Sequence, residues 1–488
     1  MNKTSKLTSI SFLIIFALTA IMLSGGGADA SYSPLHISQG TSGATSTGLP
    51  ALMVNPAGVH VDNPGQFSIE LDMGGGLGNN YFNYDILTES VREESYSDIV
   101  EDLGDDGLNA YAGASGSLKV RAGPIADFSG SVTGFFGAEA DFSGTIGPGV
   151  FEFLEEADDK LENFDDIEDD EFFQELQDIR LDMGETEMGG AAFAGGGLSL
   201  SYDITEAAGP EVDKLTLGGT LHYRQGELGH FTADGVIEFN ELIIEIDDLH
   251  EDLDTEETYE TFAPEGTVSF TGEHSDGSTA SGMGLDFGIY GEFDDRFSAG
   301  LSVENLTGSL SADSGYFIDG DVDIDLEELK DDVIERAEDY YGDPQEPDME
   351  PEEALEEAFV DVMNDKIDDS YDEREGEEVS YSLPLTIRLE GAMEATDDVD
   401  VAGGITFASH DLDPNDVTLS SGVELAHFSP LKVRGGLNYS SRRRSLAVSS
   451  GLGLDFGTFR ANLAFSDLRA LLGSAQSFET GLNLGLEF

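Results

Sequence analysis

The chain of 488 residues has no cysteine and no tryptophan. Without cysteine, disulfides, zinc–thiolate sites and thiol nucleophiles are all excluded. Basic residues are scarce as well, since 22 Lys and Arg stand against 100 Asp and Glu, giving a formal net charge of −78. This balance argues against nucleic acid as a partner, because binding nucleic acid requires a basic surface.

So many like charges repel one another and destabilise a compact state at low ionic strength. At about 1 M salt the Debye length falls to about 3 Å, which screens this repulsion. We therefore expect the protein to come from a high-salt environment, and its stability to rise with salt.

Long hydrophobic runs are also missing. The apolar run from Ile10 to Leu23 is shorter than the roughly 18 residues of a transmembrane helix. Together with Lys3, Lys6 and Ala28-Asp29-Ala30, it predicts a signal peptide over residues 1–30, removed after Ala30. No cysteine follows, so a lipoprotein anchor is excluded. A membrane-spanning form would have to be a β-barrel, the other structure that satisfies its own backbone in lipid.

In the C-terminal segment Ser477–Phe488, apolar residues alternate with polar residues or glycine. Successive residues of a strand point to opposite faces, so this segment would present one apolar and one polar row. The apolar row suits lipid and the polar row suits a lumen. Strands of a soluble sandwich alternate in the same way, so this segment alone leaves both folds open. The apolar row is Leu482, Leu484, Leu486 and Phe488; the other is Gly481, Asn483, Gly485 and Glu487.

Alternation of this kind recurs in fourteen segments, an even number that places both ends of a closed barrel on the same side. With the C-terminus in the periplasm, every long insertion falls outside, which is typical of outer-membrane barrels. We therefore predict an all-β, closed antiparallel outer-membrane β-barrel over residues 66–488, with acidic external insertions near 142–193, 226–279 and 308–380. The predicted strands are 66–73, 108–120, 128–141, 194–204, 214–225, 280–292, 297–307, 381–394, 400–409, 417–428, 430–440, 445–456, 458–466 and 477–488.

Two acidic stretches have apolar residues at helical spacing. In residues 152–187 the spacing runs from Leu154 to Ile179. In residues 319–378 it predicts two amphipathic helices on either side of Pro344-Gln345-Glu346-Pro347, with apolar stripes that face each other or the barrel rim. The external loops are therefore expected to be partly helical.

Few residues suggest a chemical site. Asp319–Asp325 resembles a calcium loop but lacks the Gly and Glu that an EF-hand needs, which leaves weak divalent binding or a solvated acidic face. Arg442-Arg443-Arg444 suits lipid headgroups or a solvated hairpin tip. Nucleotide-binding and nucleophile-elbow motifs are absent, so we expect neither an enzyme nor a cofactor. Four histidines without a metal-binding spacing are expected at the surface: His222, His230, His250 and His274.

The segment ahead of the first strand contains Asn55-Pro56-Ala57-Gly58. This motif, soon after a signal peptide and just before a barrel, resembles the FadL-type long-chain fatty-acid transporter superfamily, with its PorV-like and TraF-like relatives. The resemblance implies that residues 31–65 form a hatch segment, with Asn55-Pro56 at or inside the barrel mouth. The alternative is that Pro56 and Gly58 only shape a turn into the first strand.

These observations favour passive uptake of a hydrophobic or amphipathic small molecule through the outer membrane of a diderm bacterium. The expected partners are outer-membrane lipid and the barrel assembly machinery, with Phe488 as the assembly signal. One alternative is a non-transporting scaffold for a surface or secretion assembly, with the acidic helices docking a partner or cations. Another is a soluble all-β secreted protein. The candidate ligand path is Leu52, Met53, Val54, Asn55, Pro56, Ala57 and Gly58.

Overall fold

The fold is known from a computed structural model, and all that follows concerns the residues that it describes. These are 43–61, 67–79, 107–123, 129–153, 179–184, 186–209, 212–245, 258–275, 280–294, 296–341, 351–409, 415–428, 430–441, 445–467 and 477–488. The predicted signal peptide, Arg442–Arg444 and His250 lie outside them.

The described residues form seventeen strands in one antiparallel sheet. They are β1 (Phe67–Asn79), β2 (Leu108–Ala122), β3 (Gly130–Ile146), β4 (Ile179–Asp182), β5 (Thr186–Asp203), β6 (Lys214–Glu245), β7 (Thr258–His274), β8 (Ala280–Phe293), β9 (Phe297–Ile324), β10 (Tyr371–Ser382), β11 (Leu385–Thr396), β12 (Val399–Ser409), β13 (Asp416–Phe428), β14 (Leu431–Ser440), β15 (Ser445–Asp455), β16 (Phe459–Ser466) and β17 (Ser477–Glu487).

Fourteen of these strands close into a ring. β1 pairs with β2 on one side and with β17 on the other, so the first and last strands complete the barrel. The ring runs β1-β2-β3-β5-β6-β8-β9, then β11 to β17 in chain order. The predicted fourteen-stranded closed antiparallel barrel is confirmed.

The two faces of the ring differ as the alternation predicts. On β1, Leu71 and Met73 are exposed, whereas Glu70 and Asp72, which alternate with them, are buried. Leu198 and Leu200 on β5 are exposed in the same way, and Ser199 and Ser201 are buried. A sandwich would bury its apolar row, so this inversion rules out the soluble alternative and leaves an outer surface suited to lipid.

Two ring strands continue well beyond the barrel. β6 has 32 residues and β9 has 28. Their distal halves pair with β7, and β10 and β4 widen the same sheet, which we call the extension. The prediction that 226–279 and 308–380 are loop insertions was therefore wrong over much of their length. The strands continue beyond the predicted ends, and the acidic residues on their solvent-exposed face made these segments resemble loops in the sequence.

A helical hairpin packs on the extension. It consists of α1 (Leu326–Tyr341) and α2 (Pro351–Asp369), and both predicted helices are present. Their apolar stripes face each other and the extension rather than the barrel rim. The predicted Pro344–Pro347 break lies outside the described residues. The shared core comprises Leu242, Ile244, Tyr259, Ala263, Ile324, Leu329, Val333, Ala337, Ala354, Leu355, Ala358 and Val362.

The other predicted helical stretch is partly wrong. Ile179, its last apolar residue, lies in β4, because it pairs with Phe239 at the edge of the extension. A helical turn covers residues 148–153, and residues 154–178 lie outside the described part of the chain. None of the described helices has the length and apolar character needed to cross a bilayer.

The two ends of the barrel are unequal. Phe67 at the start of β1 and Phe488 after β17 meet at one end, with ring centroids 6.3 Å apart. Antiparallel alternation places the short connections at that same end, such as Gly457 between β15 and β16. The hairpin and the extension lie at the opposite end. The short turns therefore lie at one end of the ring, and the long insertions lie at the other.

Candidate functional site

Residues 43–61, here called the plug, lie inside the ring. They form two short 3-10 helices, Leu49–Met53 and Pro56–His60. Lumen-facing side chains of the adjacent strands β5 and β6 contact them: Ser201 Oγ and Thr216 Oγ1 donate to the Ala57 carbonyl oxygen at 3.0 and 2.9 Å. Because β2, β5, β6 and β11 all reach the plug, it occupies the lumen at the short-turn end.

Asn55 is the hub of the plug. Its side-chain Nδ2 donates to the carbonyl oxygens of Ala44, at 2.6 Å, and of Ile289 on β8, at 3.1 Å. Its Oδ1 accepts from the Ala57 backbone N–H at 3.1 Å and so caps the second 3-10 helix. One fully buried amide therefore joins the two parts of the plug to the wall.

Glycines of the wall make room for this motif. A Cβ at Gly288 would lie 1.9 Å from Asn55 Oδ1, and one at Gly218 would lie 2.2 Å from the Ala57 nitrogen. Within the plug, a Cβ at Gly58 would lie 2.1 Å from the Ser46 carbonyl oxygen. The plug and the wall thus approach each other as closely as backbones allow.

Charged wall residues hold the plug from two sides. The Glu390 carboxylate on β11 accepts from the Gly43 and Thr45 backbone N–H groups, at 2.9 and 3.3 Å, and from the Thr45 hydroxyl. Across the lumen, Lys119 Nζ donates to the Leu49 carbonyl oxygen at 3.5 Å, and Arg121 donates to that of Val59 at 3.3 Å. These contacts fix the plug without covalent links.

A polar network continues from the plug along the far wall. Lys119 pairs with Glu70 and Asp72 on β1. Asn483 then donates to Asp72 at 2.7 Å and accepts from Asn462 at 2.8 Å. Arg434 joins Asn462 to Glu424, with bonds of 2.8 and 2.7 Å. The lumen side of β13, β14, β16 and β17 is therefore linked to the plug by a chain of hydrogen bonds.

A histidine of the plug has an altered pKa. Burial lowers the pKa of His60, and the cations of Lys214 and Arg121 lower it further, against the opposing charge of Asp203. Burial and these cations therefore favour the neutral form of His60.

A cavity of about 100 Å³ lies between the plug and the extension. Met53 of the plug lines one side of it. The wall contributes two phenylalanines, Phe135 and Phe193, and a larger set of polar residues. The polar lining consists of Asp72, Ser115, Ser117, Lys119, Glu139, His222, Arg224, Asp286, Glu304 and Asn305.

His222 and Asp286 form a hydrogen-bonded pair in this lining. His222 Nε2 lies 3.2 Å from Asp286 Oδ1, and the His222 side chain is 4% exposed. The same carboxylate oxygen accepts from the Asn305 backbone N–H at 2.9 Å. Asn305 has a left-handed φ of 50° and lies in a bulge of β9, where residues 304–306 stand opposite Asp286 alone. Bulges often re-aim side chains in this way.

The predicted ligand-path residues have unequal positions. Met53 lines the cavity. The other six, Leu52, Val54, Asn55, Pro56, Ala57 and Gly58, are buried in contacts between the plug and the wall. Their role in a ligand path stays a prediction, as does that of Phe488 in assembly.

The expected surface position of His222 was wrong. It belongs to the lumen row of β6 with Thr216 and Thr220, while Leu221 and Tyr223 face outward. The signal was available, since His222 falls on the polar row of a predicted strand. His230 pairs with Glu187 at 3.0 Å, away from this cavity. Asp319–Ile324 belong to β9 and pair with β7 and β10, so this stretch is strand and not loop.

Metal binding finds no geometric support in the described part of the chain. It contains no group of three or more His, Asp or Glu side chains arranged to hold an ion.

Comparisons with known proteins give a likeness of fold. No family model matches the chain, and none of the curated proteins does. Among solved structures, the toluene transporter TodX of Pseudomonas putida has 13% identity and a TM-score of 0.45, over 95% of this chain and 98% of that one. A FadL homologue of Pseudomonas aeruginosa has 11% identity and a TM-score of 0.45, over 95% and 99%.

A deletion mutant of TodX, a monoaromatic hydrocarbon channel, has 12% identity and a TM-score of 0.47, over 94% of this chain and 99% of that one. The chain is similar to these structures over most of its length. Likeness at this level carries no argument about ligand or residue roles, which have to come from the geometry of the chain itself.

Proposed function

We propose that this protein is a passive outer-membrane uptake channel for amphipathic small molecules, closed at rest by the plug. The observation that carries the proposal is the plug itself, a segment seated in the lumen by hydrogen bonds and close packing alone. Passage requires the plug to shift, because the cavity behind it is small. Its volume is below the ~150 Å³ of an engineered cavity that admits benzene.

Passage would proceed in three steps. The ligand enters from the extension end, since the plug fills the opposite end. Its polar group contacts the charged lining of the cavity, and its apolar part contacts Met53, Phe135 and Phe193. Release follows when the plug shifts, breaking contacts such as those of Asn55. The ligand moves down its own gradient, so no energy source is required.

Conductance across planar bilayers tests this proposal. Deleting residues 43–61 removes the plug while leaving all fourteen ring strands. The deletion variant is expected to give large, stable ion currents, and the intact protein to be nearly silent. Val360→Ala, at an exposed position on α2, is the matched reconstitution control. Equal currents from the deletion variant and the intact barrel, both running as folded species on unheated gels, would refute a closing role for the plug.

A scaffold for a surface or secretion assembly is the second candidate. It is favoured by the hairpin, which forms its own core with the extension beyond the barrel. A domain of this kind is not needed to close or line a channel. Affinity capture in native salt, with and without Glu-to-Gln substitutions on α1 and α2, tests it. A stoichiometric partner lost on substitution would support the scaffold.

A further inference from the structure

The cavity contains a buried nitrogen with no partner among the described residues. His222 Nδ1 makes no hydrogen bond, although the side chain is almost completely buried. Leaving a buried polar atom unsatisfied costs free energy, because the atom has given up its hydrogen bonds to water. The Asn305 Oδ1 atom, at the same cavity, is unsatisfied in the same way. Two such atoms at one cavity point to a polar group that binds there.

We propose that this cavity binds the head group of an amphiphile that donates hydrogen bonds, a hydroxyl or an ammonium group, and that His222 Nδ1 accepts one of those bonds. The inference rests on the proposed uptake function and specifies its ligand class. A carboxylate head group is disfavoured.

The tautomer of His222 follows from its partner. Asp286 Oδ1 already accepts from the Asn305 N–H, and as a carboxylate it has no proton to donate. His222 Nε2 therefore carries the proton of the neutral ring, and Nδ1 presents a lone pair. A ligand O–H or N–H group is the complement of that lone pair.

The neighbouring strand leaves space for the imidazole ring of His222 in this orientation. Gly284 on β8 lies directly opposite His222, and a Cβ there would come within 2.1 Å of His222 Cε1. Asn305 holds Asp286 from the other side, and its own Nδ2 donates to the Pro384 carbonyl oxygen at 2.8 Å. His222 is thus positioned by three elements of the wall.

The charge of the lining selects against an anion. Four carboxylates line the cavity, and the lining cations are Lys119 and Arg224. Lys119 is already engaged by two carboxylates of β1, and Arg224 lies 3.9 Å from Glu139. Glu304 pairs with Arg388, a residue that does not line the cavity, with Nη1 of Arg388 2.5 Å from Oε1 of Glu304. An added carboxylate would meet a net negative site, whereas an ammonium or hydroxyl group would not. The four lining carboxylates are Asp72, Glu139, Asp286 and Glu304.

Calorimetry on the full-length mature barrel in zwitterionic lipid nanodiscs tests the proposal. The probes are octylammonium, octan-1-ol and octanoate, matched in chain length, with empty nanodiscs subtracted. We expect octylammonium and octan-1-ol to bind at least about tenfold more tightly than octanoate. Tightest binding of octanoate would overturn the proposal and indicate pairing with Arg224.

Three substitutions separate the roles of the two ring nitrogens. His222→Gln keeps a donor near Nε2 but removes the Nδ1 acceptor, and should weaken binding about tenfold. His222→Asn keeps an acceptor near Nδ1 and should stay within about threefold of wild type. His230→Gln, outside the cavity, is the matched control and should change nothing. Wild-type affinity in His222→Gln, or no saturable binding of any probe, would overturn the inference. The conductance test does not involve His222, so the proposed function is judged separately.

Discussion

At the scale of single residues, the plug motif and its surroundings differ in how far the sequence predicts them. Asn55-Pro56-Ala57-Gly58 stands out as a pattern, and its position before the first strand suggests a place at the barrel mouth. Its bonding partners could not be predicted, because Ile289 lies 234 residues further along the chain. His222 was misjudged for a different reason: its strand was identified, but its place on the lumen row was not used.

Substituting the hub of the plug tests its role. Asn55→Asp replaces two amide donor bonds with carboxylate oxygens that face the Ala44 and Ile289 carbonyl oxygens. Each buried group left unsatisfied costs about 1 to 3 kcal/mol, and every 1.4 kcal/mol is a factor of ten in an opening equilibrium. Amide hydrogen exchange within residues 43–61 should accelerate by at least about tenfold.

Asn240→Asp is the control for this experiment, because Asn240 bonds to Glu265 on the extension, far from the plug. Exchange in the plug should match wild type in that variant. Unchanged exchange in Asn55→Asp as well would remove Asn55 from the account of how the plug is held.

At the scale of elements, all fourteen ring strands follow from period-two alternation. Their lengths do not, since β6 and β9 run far past the predicted ends. A strand with an apolar row facing lipid is easily recognised in the sequence. The distal parts of β6 and β9 expose acidic residues to water, so their sequence resembles that of a loop. The hairpin was predicted from its helical spacing, but its docking surface was not. That surface includes Leu242 and Ile244, which lie in a stretch assigned to an insertion.

We expect that the hairpin can unfold while the barrel stays folded. Val333 is fully buried in the shared core of the hairpin, and Val333→Asp would place an unpaired carboxylate there, costing several kcal/mol. Proteolysis within α1 and α2 should speed up, while the barrel keeps its unheated gel mobility. Val360→Asp makes the same change at a position 51% exposed on α2 and should have little effect. Loss of the folded barrel in Val333→Asp would show that the two units are coupled.

At the scale of the whole molecule, charge is the dominant feature. The net charge of −78 is spread over a chain with few cations to neutralise it. Repulsion of this kind falls as the Debye length shrinks from about 10 Å at 0.1 M to about 3 Å at 1 M salt. The melting temperature should therefore climb between these two salt concentrations, as measured by circular dichroism. An uncharged osmolyte at equal osmolarity is the control. A flat melting temperature would contradict the expected high-salt environment.

The central claim is that the plug must move for a ligand to pass, and a reversible lock tests it most directly. The chain has no native cysteine, so Ala57→Cys with Thr216→Cys introduces the only two thiols, at residues now joined by a 2.9 Å bond from Thr216 Oγ1 to the Ala57 carbonyl oxygen, and mass spectrometry establishes that they form a disulfide. The measurement is uptake of radiolabelled octylamine, octan-1-ol and octanoate by cells that produce the barrel, with the single-cysteine variants as controls. The account predicts that oxidation abolishes barrel-dependent uptake and that reduction restores it. Wild-type uptake through a fully oxidised lock would contradict it.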